Sequence, residues 1–372
     1  MEKSDTLGEQ HLPSFNPHVA QLPTYNAGLN IAVAKAISGR EDIARLASNE
    51  NPDGCSPKVL QALSSPAFEP WRYADPACTA LREAIAESLG VLPETIVAGN
   101  GSEELIAAIS RAFLTAGETV VTVVPSFGLH EIEPLATGAH VIKIPMTHSF
   151  GFDLPALESA LHQKPKILFL SSPWNPVGTV LSLDELARII SALSPETLFV
   201  FDEAYVEYKD AKAPDGLKML QEARVNYISL RTFSKAYGLA GLRVGYAICS
   251  AVEIARVVTA AKPPFNVNAA GQLAARAALS DQAWMRRSVK GVRLERERVL
   301  QALTELGYRV APSQTNFVFF DCGEDSSIVA SDLVKQGIIV KPWREAGYST
   351  YIRATIGRDI DNDRLIDALR TR

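Results

Sequence analysis

Between residues 93 and 250, short apolar runs alternate with segments in which apolar residues recur at helical spacing. Runs of Val, Ile, Leu and Phe without polar interruption predict strands that are buried on both faces, as in a parallel sheet covered by helices. The region therefore predicts a large α/β domain with a mixed, mostly parallel sheet. The predicted strands cover residues 120–124, 141–144, 167–170, 198–201, 227–230 and 244–248.

The pattern changes on both sides of this region. Before it, leucine or isoleucine recurs every fourth residue over 76–90 and predicts one face of a helix that ends at Gly90. After it, prolines 263 and 264 interrupt the pattern, and a segment rich in Arg and Glu predicts a long amphipathic helix over 281–306.

The C-terminal part combines both periodicities. Strands are predicted over 317–320, 338–341 and 351–356, followed by a helix that Asp361 or Asn362 opens. We therefore expect three parts: an N-terminal arm, a large α/β domain, and a small α+β domain that includes part of the N-terminal segment. Their predicted bounds are 1–45, 46–265 and 266–372.

Length and charge limit the possible functions. With 372 residues, 47% of them hydrophobic, the chain is long enough for two domains with large cores. Its 37 basic and 42 acidic residues form no run of like charge, so nucleic acid is not an expected partner. The acidic, proline-containing start lacks the apolar core of a signal peptide, and no apolar stretch reaches membrane-spanning length. We expect a cytoplasmic protein with no membrane partner.

Two other classes of chemistry find no support in the residue pattern. The four scattered cysteines include no Cys-x-x-Cys pair, and the six histidines form no metal-binding pattern, so we expect reduced thiols and no metal. No Gly-x-Ser-x-Gly motif favours a serine hydrolase.

The most informative segment, 231–245, follows a predicted buried strand and contains hydroxyls, one lysine, glycines and arginines. Thr232, Ser234 and Arg243 can converge on one phosphate, because hydroxyls donate to phosphate oxygens and arginine binds them bidentately. Lys235 would then lie at a fixed reach from that phosphate, as an imine to a phosphorylated aldehyde requires. The alternative is that Lys235 is solvated and that Arg243 pairs with a surface carboxylate.

Two further segments place polar groups just after predicted strands. Asp202 can cap the next helix, or it can keep the nitrogen of a pyridine ring protonated, which makes such a ring an electron sink. Asn175 lies in a segment rich in Pro and Gly that is typical of a turn, but its amide can also donate to a ring oxygen, with Tyr205 as a second donor.

A glycine-rich turn and an aromatic residue complete the candidates. At 97–105 a predicted strand turns through two glycines into a helix whose first amides can bind a phosphate, although the glycine pattern of a dinucleotide site is incomplete. Phe127 follows another strand, where it can stack on a planar ring or belong to the core.

Six motifs in this order resemble those of the fold-type-I aminotransferases, which depend on pyridoxal 5'-phosphate, and most of all those of the histidinol-phosphate aminotransferase branch. The resemblance begins at Leu46 and extends to the last helix. The motifs are Gly-Asn-Gly-Ser-Glu (99–103), Pro-Ser-Phe-Gly (125–128), Asn-Pro-Val-Gly (175–178), Asp-Glu-Ala-Tyr (202–205), Ser-Lys-Ala-Tyr-Gly-Leu-Ala-Gly-Leu-Arg (234–243) and Tyr-Ile-Arg-Ala-Thr-Ile-Gly (351–357).

The resemblance implies a role for each matched residue. Lys235 would form the Schiff base with the cofactor and then move the proton, Asp202 would pair with the pyridine nitrogen, and Phe127 would stack on the ring. Tyr73 would reach the phosphate in the partner subunit, which implies a homodimer. The resemblance also assigns Asn175 and Tyr205 to the ring oxygen; Ser102, Glu103, Thr232, Ser234 and Arg243 to the phosphate; and Arg353, Asn316 and Lys341 to the substrate.

Departures from the family pattern leave the substrate open. Lys341 stands where an arginine is typical, and lysine offers a phosphate a point charge but no bidentate fork. Trp174, Trp343 and Tyr348 could instead mark a pocket for an aromatic amino acid. The leading prediction is therefore a histidinol-phosphate aminotransferase of histidine biosynthesis, with an aromatic amino-acid aminotransferase second and a threonine-phosphate decarboxylase third.

A non-catalytic alternative is a sensor domain with this fold fused to a DNA-binding module. That function needs a basic helix-turn-helix extension, and the segment before Leu46 is too short and insufficiently basic for one.

Overall fold

The structure is a computed structural model that describes residues 13–23, 28–66 and 68–372. The start of the chain, where the sequence predicts no signal peptide, and part of the predicted arm lie outside the described residues. The strands are β1 (Ala44–Leu46), β2 (Ile96–Gly99), β3 (Thr119–Val124), β4 (His140–Pro145), β5 (Ile167–Ser171), β6 (Leu198–Asp202), β7 (Tyr227–Thr232), β8 (Gly245–Cys249), β9 (Arg309–Val310), β10 (Phe317–Asp321), β11 (Ile338–Pro342) and β12 (Tyr351–Thr355).

Helices separate most of the strands and cover the sheets. Short 3-10 turns lie at Pro93–Thr95, Val206–Tyr208 and Ala240–Leu242. The α-helices are α1 (Pro17–Ala20), α2 (Ile31–Ser38), α3 (Pro57–Leu63), α4 (Thr79–Leu89), α5 (Ser102–Phe113), α6 (Leu129–Ala136), α7 (Leu154–Leu161), α8 (Leu183–Ala192), α9 (Gly216–Ala223), α10 (Val252–Ala260), α11 (Ala269–Leu279), α12 (Gln282–Glu305), α13 (Ser326–Lys335) and α14 (Asp359–Arg370).

The larger sheet has seven strands in the order β2-β8-β7-β6-β5-β3-β4. Neighbouring strands from β7 to β4 are parallel, whereas β8 is antiparallel to both of its neighbours. Successive residues of β5 and β6 pack into different hydrophobic clusters because alternate side chains of a strand point to opposite faces. The predicted mixed, mostly parallel sheet with helices on both faces is confirmed.

The polar ends of the central strands extend further than their apolar runs predict. Ser171, Asp202 and Thr232 still pair within the ladder, Ser171 opposite Asp202 and Thr232 opposite Gly245. The prediction ended these strands at the last apolar residue, although backbone pairing does not depend on the side chain. The consequence is that three polar side chains leave adjacent strands at one edge of the sheet.

The smaller sheet has the order β1-β11-β12-β10-β9. Strand β1 pairs in parallel with β11, so part of the N-terminal segment joins the sheet formed by the C-terminal part. Strands β11 and β12 pair antiparallel, with Lys341 directly opposite Arg353. The proposed domain bounds at residues 45 and 265 stay predictions.

Helix ends show where local patterns mislead. Helix α12 begins after Asp281, whose carboxylate accepts from the Trp284 amide, within one residue of the prediction at each end. Helix α4 ends before Gly90, as predicted, but begins at Thr79 rather than 76 because the Asp75 carboxylate accepts the Thr79 amide.

The predicted start of the last helix is wrong. Helix α14 begins at Asp359, and both Asp361 and Asn362 are buried within its first turns. The Arg358 guanidinium donates to Asp361, and the side-chain oxygen of Asn362 accepts from the Gly357 amide. Asp361 and Asn362 therefore lie within the helix and bind the residues of the turn that precedes it.

Within the described residues, no helix is long and apolar enough to cross a bilayer.

Candidate active site

A cavity of about 270 Å³ opens where the central strands of the larger sheet end, and residues of the smaller sheet close it. It lies beyond the carboxyl ends of the parallel strands, where open α/β sheets bind ligands. Twelve of the residues predicted from the sequence line it: Ser102, Glu103, Phe127, Asn175, Asp202, Tyr205, Thr232, Ser234, Lys235, Arg243, Lys341 and Arg353.

One end of the cavity offers hydrogen-bond donors to an anion. Helix α5 starts there at Ser102, and no side chain caps its first turn. Thr232 and Ser234 come from the end of β7 and the loop after it, and Arg243 comes from the same loop. Helix amides, hydroxyls and a guanidinium together suit a phosphate group.

Two glycines allow the close approach of these elements. A Cβ on Gly101, where φ is +81°, would lie 2.7 Å from Nη2 of Arg243. A Cβ on Gly245 would lie 2.5 Å from the amide nitrogen of Ser102. A side chain at either position would therefore displace the anion-binding donors.

The Arg243 guanidinium also takes part in an ion pair. Its Nη2 donates to Oε2 of Glu103 at 2.8 Å, which matches the alternative of a pair with a carboxylate. Both side chains are about half exposed, so the pair contributes little to stability. Arg243 therefore pairs with a carboxylate and also lines the anion-binding end of the cavity.

Lys235 lies between this end and the smaller sheet. Its Nζ donates to the Ser48 carbonyl at 3.2 Å and lies 5.9 Å from the centre of the Tyr205 ring. Burial lowers the pKa of Lys235 to about 8, and the positive charges of Arg353 and Arg243 act in the same direction. At pH 7 about a tenth of this amine is therefore neutral and nucleophilic, far more than at the ordinary pKa of a lysine.

Asp202 ends β6 and is 5% exposed. Its Oδ1 accepts from the Ala204 amide at 2.9 Å, and its Oδ2 lies 3.2 Å from Nε2 of His130. The alternative that Asp202 caps a helix is wrong, because the next element is the short 3-10 turn, whose cap is Tyr205 without a side-chain hydrogen bond.

His130 was missed by sequence reasoning, which considered the histidines only as possible metal ligands. The ring is fully buried, stacks on Phe169 with centroids 5.2 Å apart, and meets Phe127 edge-on at 5.7 Å. No local signal could have found it, because a spacing of three residues from Phe127 does not distinguish His130 from any other buried histidine. His130 contacts the Asp202 carboxylate but does not itself line the cavity.

A hydrogen-bonded layer joins Asn175, Tyr205 and Arg353. The Arg353 guanidinium donates to Oδ1 of Asn175 and to the Ala47 carbonyl, both at 2.7 Å. The Tyr205 hydroxyl accepts from the side-chain amide of Asn49 at 2.8 Å. Arg353 is thereby held against Asn175 and residue 47, and Tyr205 is held by residue 49 of the same segment.

Asn49 is a second residue that sequence reasoning missed. Its backbone has a φ of +56°, its amide donates to Oγ1 of Thr355, and its side chain lines the cavity. Asn316 lies one residue before β10, is fully buried, and donates to the Asn49 carbonyl at 2.9 Å. The structure thus places Asn316 behind Asn49 and not on the cavity surface.

Lys341 and Arg353 put two cations side by side at the far end of the cavity. Directly opposite residues in an antiparallel pair have close side chains, and like charges there are unfavourable without an anion between them. Burial, with the charges of Arg353 and Arg344, lowers the pKa of Lys341 to about 8. This pair is suited to an anionic group of a ligand.

An adjoining cavity of about 280 Å³ shares Phe127, Lys341 and Arg353 with the first and adds Trp343 to the wall. The prediction that Trp174, Trp343 and Tyr348 form one aromatic pocket is wrong. Trp174 is fully buried and donates from Nε1 to the Pro125 carbonyl, while the Tyr348 hydroxyl donates to the Val124 carbonyl. Trp174 precedes an apolar turn, and the sequence gives no sign of which way its ring points.

Tyr73 lies away from the cavity of its own chain. Its side chain is 86% exposed, and its ring lies 4.7 Å from that of Phe265.

Among the side chains that the structure describes, no group of three or more His, Cys, Asp or Glu is placed to hold a metal ion.

Comparisons with known proteins agree with this geometry. The family described as aminotransferase class I and II matches residues 41–369. Histidinol-phosphate aminotransferase 3 of Rhizobium meliloti (strain 1021) is 42% identical over 353 residues, covering 95% of this chain and 95% of that protein. The histidinol-phosphate aminotransferase of Moorella thermoacetica is 35% identical over 370 residues, covering 99% and 95%.

A solved structure is similar over nearly the same span. Histidinol-phosphate aminotransferase from Sinorhizobium meliloti in complex with pyridoxal-5'-phosphate superposes with a TM-score of 0.88 at 30% identity. The match covers 98% of this chain and 98% of that one. The whole architecture, including both sheets, is therefore shared.

Proposed function

The chain belongs to the class I and II aminotransferases, and from this premise we propose that it transfers the amino group of L-histidinol phosphate to 2-oxoglutarate with pyridoxal 5'-phosphate as cofactor. The products are imidazole acetol phosphate and L-glutamate, a step of histidine biosynthesis. The observation that best supports this donor is the pair of adjacent cations, Lys341 and Arg353, facing the cavity.

The donor and acceptor groups present fit the cofactor. Its phosphate would meet the first amides of α5, at Ser102 and Glu103, together with Thr232, Ser234 and Arg243. The ring would lie against Phe127, with its nitrogen near Asp202 and its oxygen near Asn175 and Tyr205. When bound, the cofactor supplies an electron sink for the electrons of a broken bond at the donor's amino-bearing carbon.

Asp202 is equipped to keep the ring nitrogen protonated. The carboxylate is buried, and contacts from His130 and from the Ala204 amide orient it. A carboxylate in this position stabilises a positive charge beside it, because little water screens the pair.

Lys235 has two tasks in this proposal. Its amine attaches the cofactor's aldehyde with loss of water, and after the donor has displaced it, the freed amine moves a proton between the donor's carbon and the cofactor. A lowered pKa favours both tasks, since the neutral amine is the nucleophile and the base.

Arg353 and Lys341 would bind the donor's anionic end. Arg353 is already oriented by Asn175 and the Ala47 carbonyl, so little further ordering is needed when a ligand binds. Asn316 would position Asn49 and not touch the donor, because its side-chain amide donates to the Asn49 carbonyl.

We also propose a homodimer in which Tyr73 reaches the phosphate in the partner's site. The exposure of Tyr73 in the single chain, beside the partly exposed Phe265, supports a buried role in an assembly. The cytoplasmic location stays a prediction, to be checked by cell fractionation.

A half-reaction tests the donor. Purified protein with bound cofactor is mixed with L-histidinol phosphate or with L-phenylalanine, and loss of the absorbance of the lysine-bound cofactor is followed. We expect fast loss with L-histidinol phosphate alone. Fast loss with L-phenylalanine alone would make the protein an aromatic aminotransferase, for which Trp343 in the cavity wall is the supporting observation. Release of carbon dioxide would indicate the decarboxylase.

A further inference from the structure

The wall of the adjoining cavity is held by a carboxylate that the proposed chemistry does not use. Oε2 of Glu345 accepts from Nε1 of Trp343 and from the backbone amide of Ser126, both at 3.0 Å. Trp343 follows β11 of the smaller sheet, whereas Ser126 follows β3 of the larger one. One oxygen atom therefore joins the two sheets at the mouth of the cavity.

The Trp343 backbone is fixed independently of Glu345. Its amide donates to the Tyr351 carbonyl at 2.8 Å, and its carbonyl accepts from the Ser326 hydroxyl at 3.1 Å. The ring itself has an edge contact with Phe319, with centroids 6.0 Å apart, and its one N–H donor is used by Glu345. The orientation of the indole consequently depends on Glu345.

In this orientation the indole covers Arg353. Cζ of the Arg353 guanidinium lies over the Trp343 ring, 5.9 Å from its centre, and both residues line the adjoining cavity. On the other side of the Glu345 carboxylate, Ser126 leads directly into Phe127, which lines both cavities. The carboxylate thus sets the spacing between two aromatic walls, Trp343 and Phe127.

The second oxygen of Glu345 indicates that this arrangement costs stability. Oε1 is buried and has no hydrogen-bond partner among the described residues. Burial raises the pKa of Glu345, while its two N–H donors act in the opposite direction. An apolar residue would avoid this cost, so the carboxylate needs a reason other than stability.

We propose that Glu345 is a positioning residue that fixes the Trp343 indole as a flat wall beside Arg353, and that this wall selects amino donors with a planar ring. The inference rests on the proposed aminotransferase function. A flat aromatic wall offers a ring large contact at little cost in conformational freedom, whereas L-glutamate has no ring to place there.

The test compares donors in the half-reaction, using the protein with bound cofactor. Glu345→Ala should lower kcat/KM for ring donors, L-histidinol phosphate or L-phenylalanine, about tenfold through KM, the scale of one lost hydrogen bond to a charged acceptor. The L-glutamate reaction should stay within about twofold. Glu345→Gln should restore most of the loss, because its amide oxygen can accept both N–H groups.

Two variants separate positioning from a general structural role. Trp343→Phe removes the indole N–H but keeps a ring, so adding Glu345→Ala to it should cause little further loss. This variant also tests the proposal if Glu345→Ala does not fold. Glu131→Gln is the matched control: Glu131 lines the same cavity and pairs with Lys143, not with Trp343, so the ratio of ring donors to L-glutamate should not change.

Tryptophan fluorescence gives a second readout that is independent of turnover. The emission of Trp343 is obtained by subtracting the spectrum of the matching Trp343→Phe variant from that of each protein. Acrylamide should quench this emission more strongly in Glu345→Ala than in Glu345→Gln. Equal losses for ring donors and L-glutamate, no loss at all, or unchanged quenching would each overturn the proposal. If only L-phenylalanine reacts, the histidinol-phosphate function fails while the Glu345 test proceeds on that donor. If neither ring donor reacts, both fail.

Discussion

The two sides of the cavity are built from different sheets. On the cofactor side, Asp202 and Thr232 leave adjacent parallel strands, and a glycine-lined turn brings the start of α5 beside them. On the donor side, Lys341 and Arg353 lie opposite each other in an antiparallel pair, and Trp343 lies two residues after Lys341. Adjacent strands of the larger sheet place the two polar side chains of the first side, whereas the second side also depends on contacts of Arg353 and Thr355 with residues 47–49, which lie about 300 residues away in the chain.

This difference separates chemistry from selectivity. The cofactor side contains the groups that every reaction of this cofactor needs: a lysine, a carboxylate and an anion-binding end. The donor side contains Lys341 and Trp343, two of the positions at which the sequence departs from the pattern that the resemblance implies. Changes on the cofactor side should therefore affect all donors alike, and changes on the donor side should affect donors differently.

The largest expected effect lies on the cofactor side. Lys235→Ala should abolish the absorbance of the lysine-bound cofactor and lower turnover by on the order of a thousandfold or more with every donor, because both nucleophile and base are lost. Absorbance spectra and turnover assays measure this. Lys262→Ala is the control, since burial lowers the pKa of Lys262 as well but it does not line the cavity. A Lys235→Ala protein that still transaminates would refute the proposed mechanism.

A smaller effect is expected where the two sides meet, at Arg353. Arg353→Lys keeps the positive charge but loses the fork that contacts Asn175 and the Ala47 carbonyl, so kcat/KM for L-histidinol phosphate should fall about a hundredfold. The cofactor absorbance should remain. Loss of that absorbance would show that the division between the two sides is wrong.

Arg353→Ala sharpens the same comparison. The Arg353 charge helps to lower the pKa of Lys235, so its removal should raise that pKa above about 8. In cofactor-free protein, the pH at which Lys235 becomes reactive towards pyridoxal 5'-phosphate should rise in Arg353→Ala and stay near its original value in Arg353→Lys. An equal rise in both variants would mean that geometry, not charge, couples the two sides.

The cofactor side was also the more predictable one. Lys235, Asp202 and Arg243 occur in short motifs beside strands that their own apolar runs reveal, and all three line the cavity. His130 escaped notice because nothing local distinguishes a buried histidine that contacts Asp202 from any other.

The donor side depends on distant pairings. Asn49 meets Thr355 and Tyr205, each more than a hundred residues away in the chain, so no local pattern could show that it joins the site. The same reason explains why Trp174 and Tyr348 were wrongly grouped with Trp343. Similarity of residue type did not reveal which rings turn towards the cavity and which towards the core.

The smallest expected effect concerns the charge at Lys341. Because the pKa of Lys341 is lowered to about 8, its ammonium is charged below that pH and becomes neutral as the pH rises through it. KM for L-histidinol phosphate should therefore increase about fivefold above pH 8, the scale of one partly screened ion pair. Lys341→Arg stays charged, so its KM should remain flat over the same range while Lys235 and the donor's amine titrate as before. A parallel increase in both proteins would place the titrating group elsewhere, and would leave Arg353 as the cation that binds the donor's phosphate.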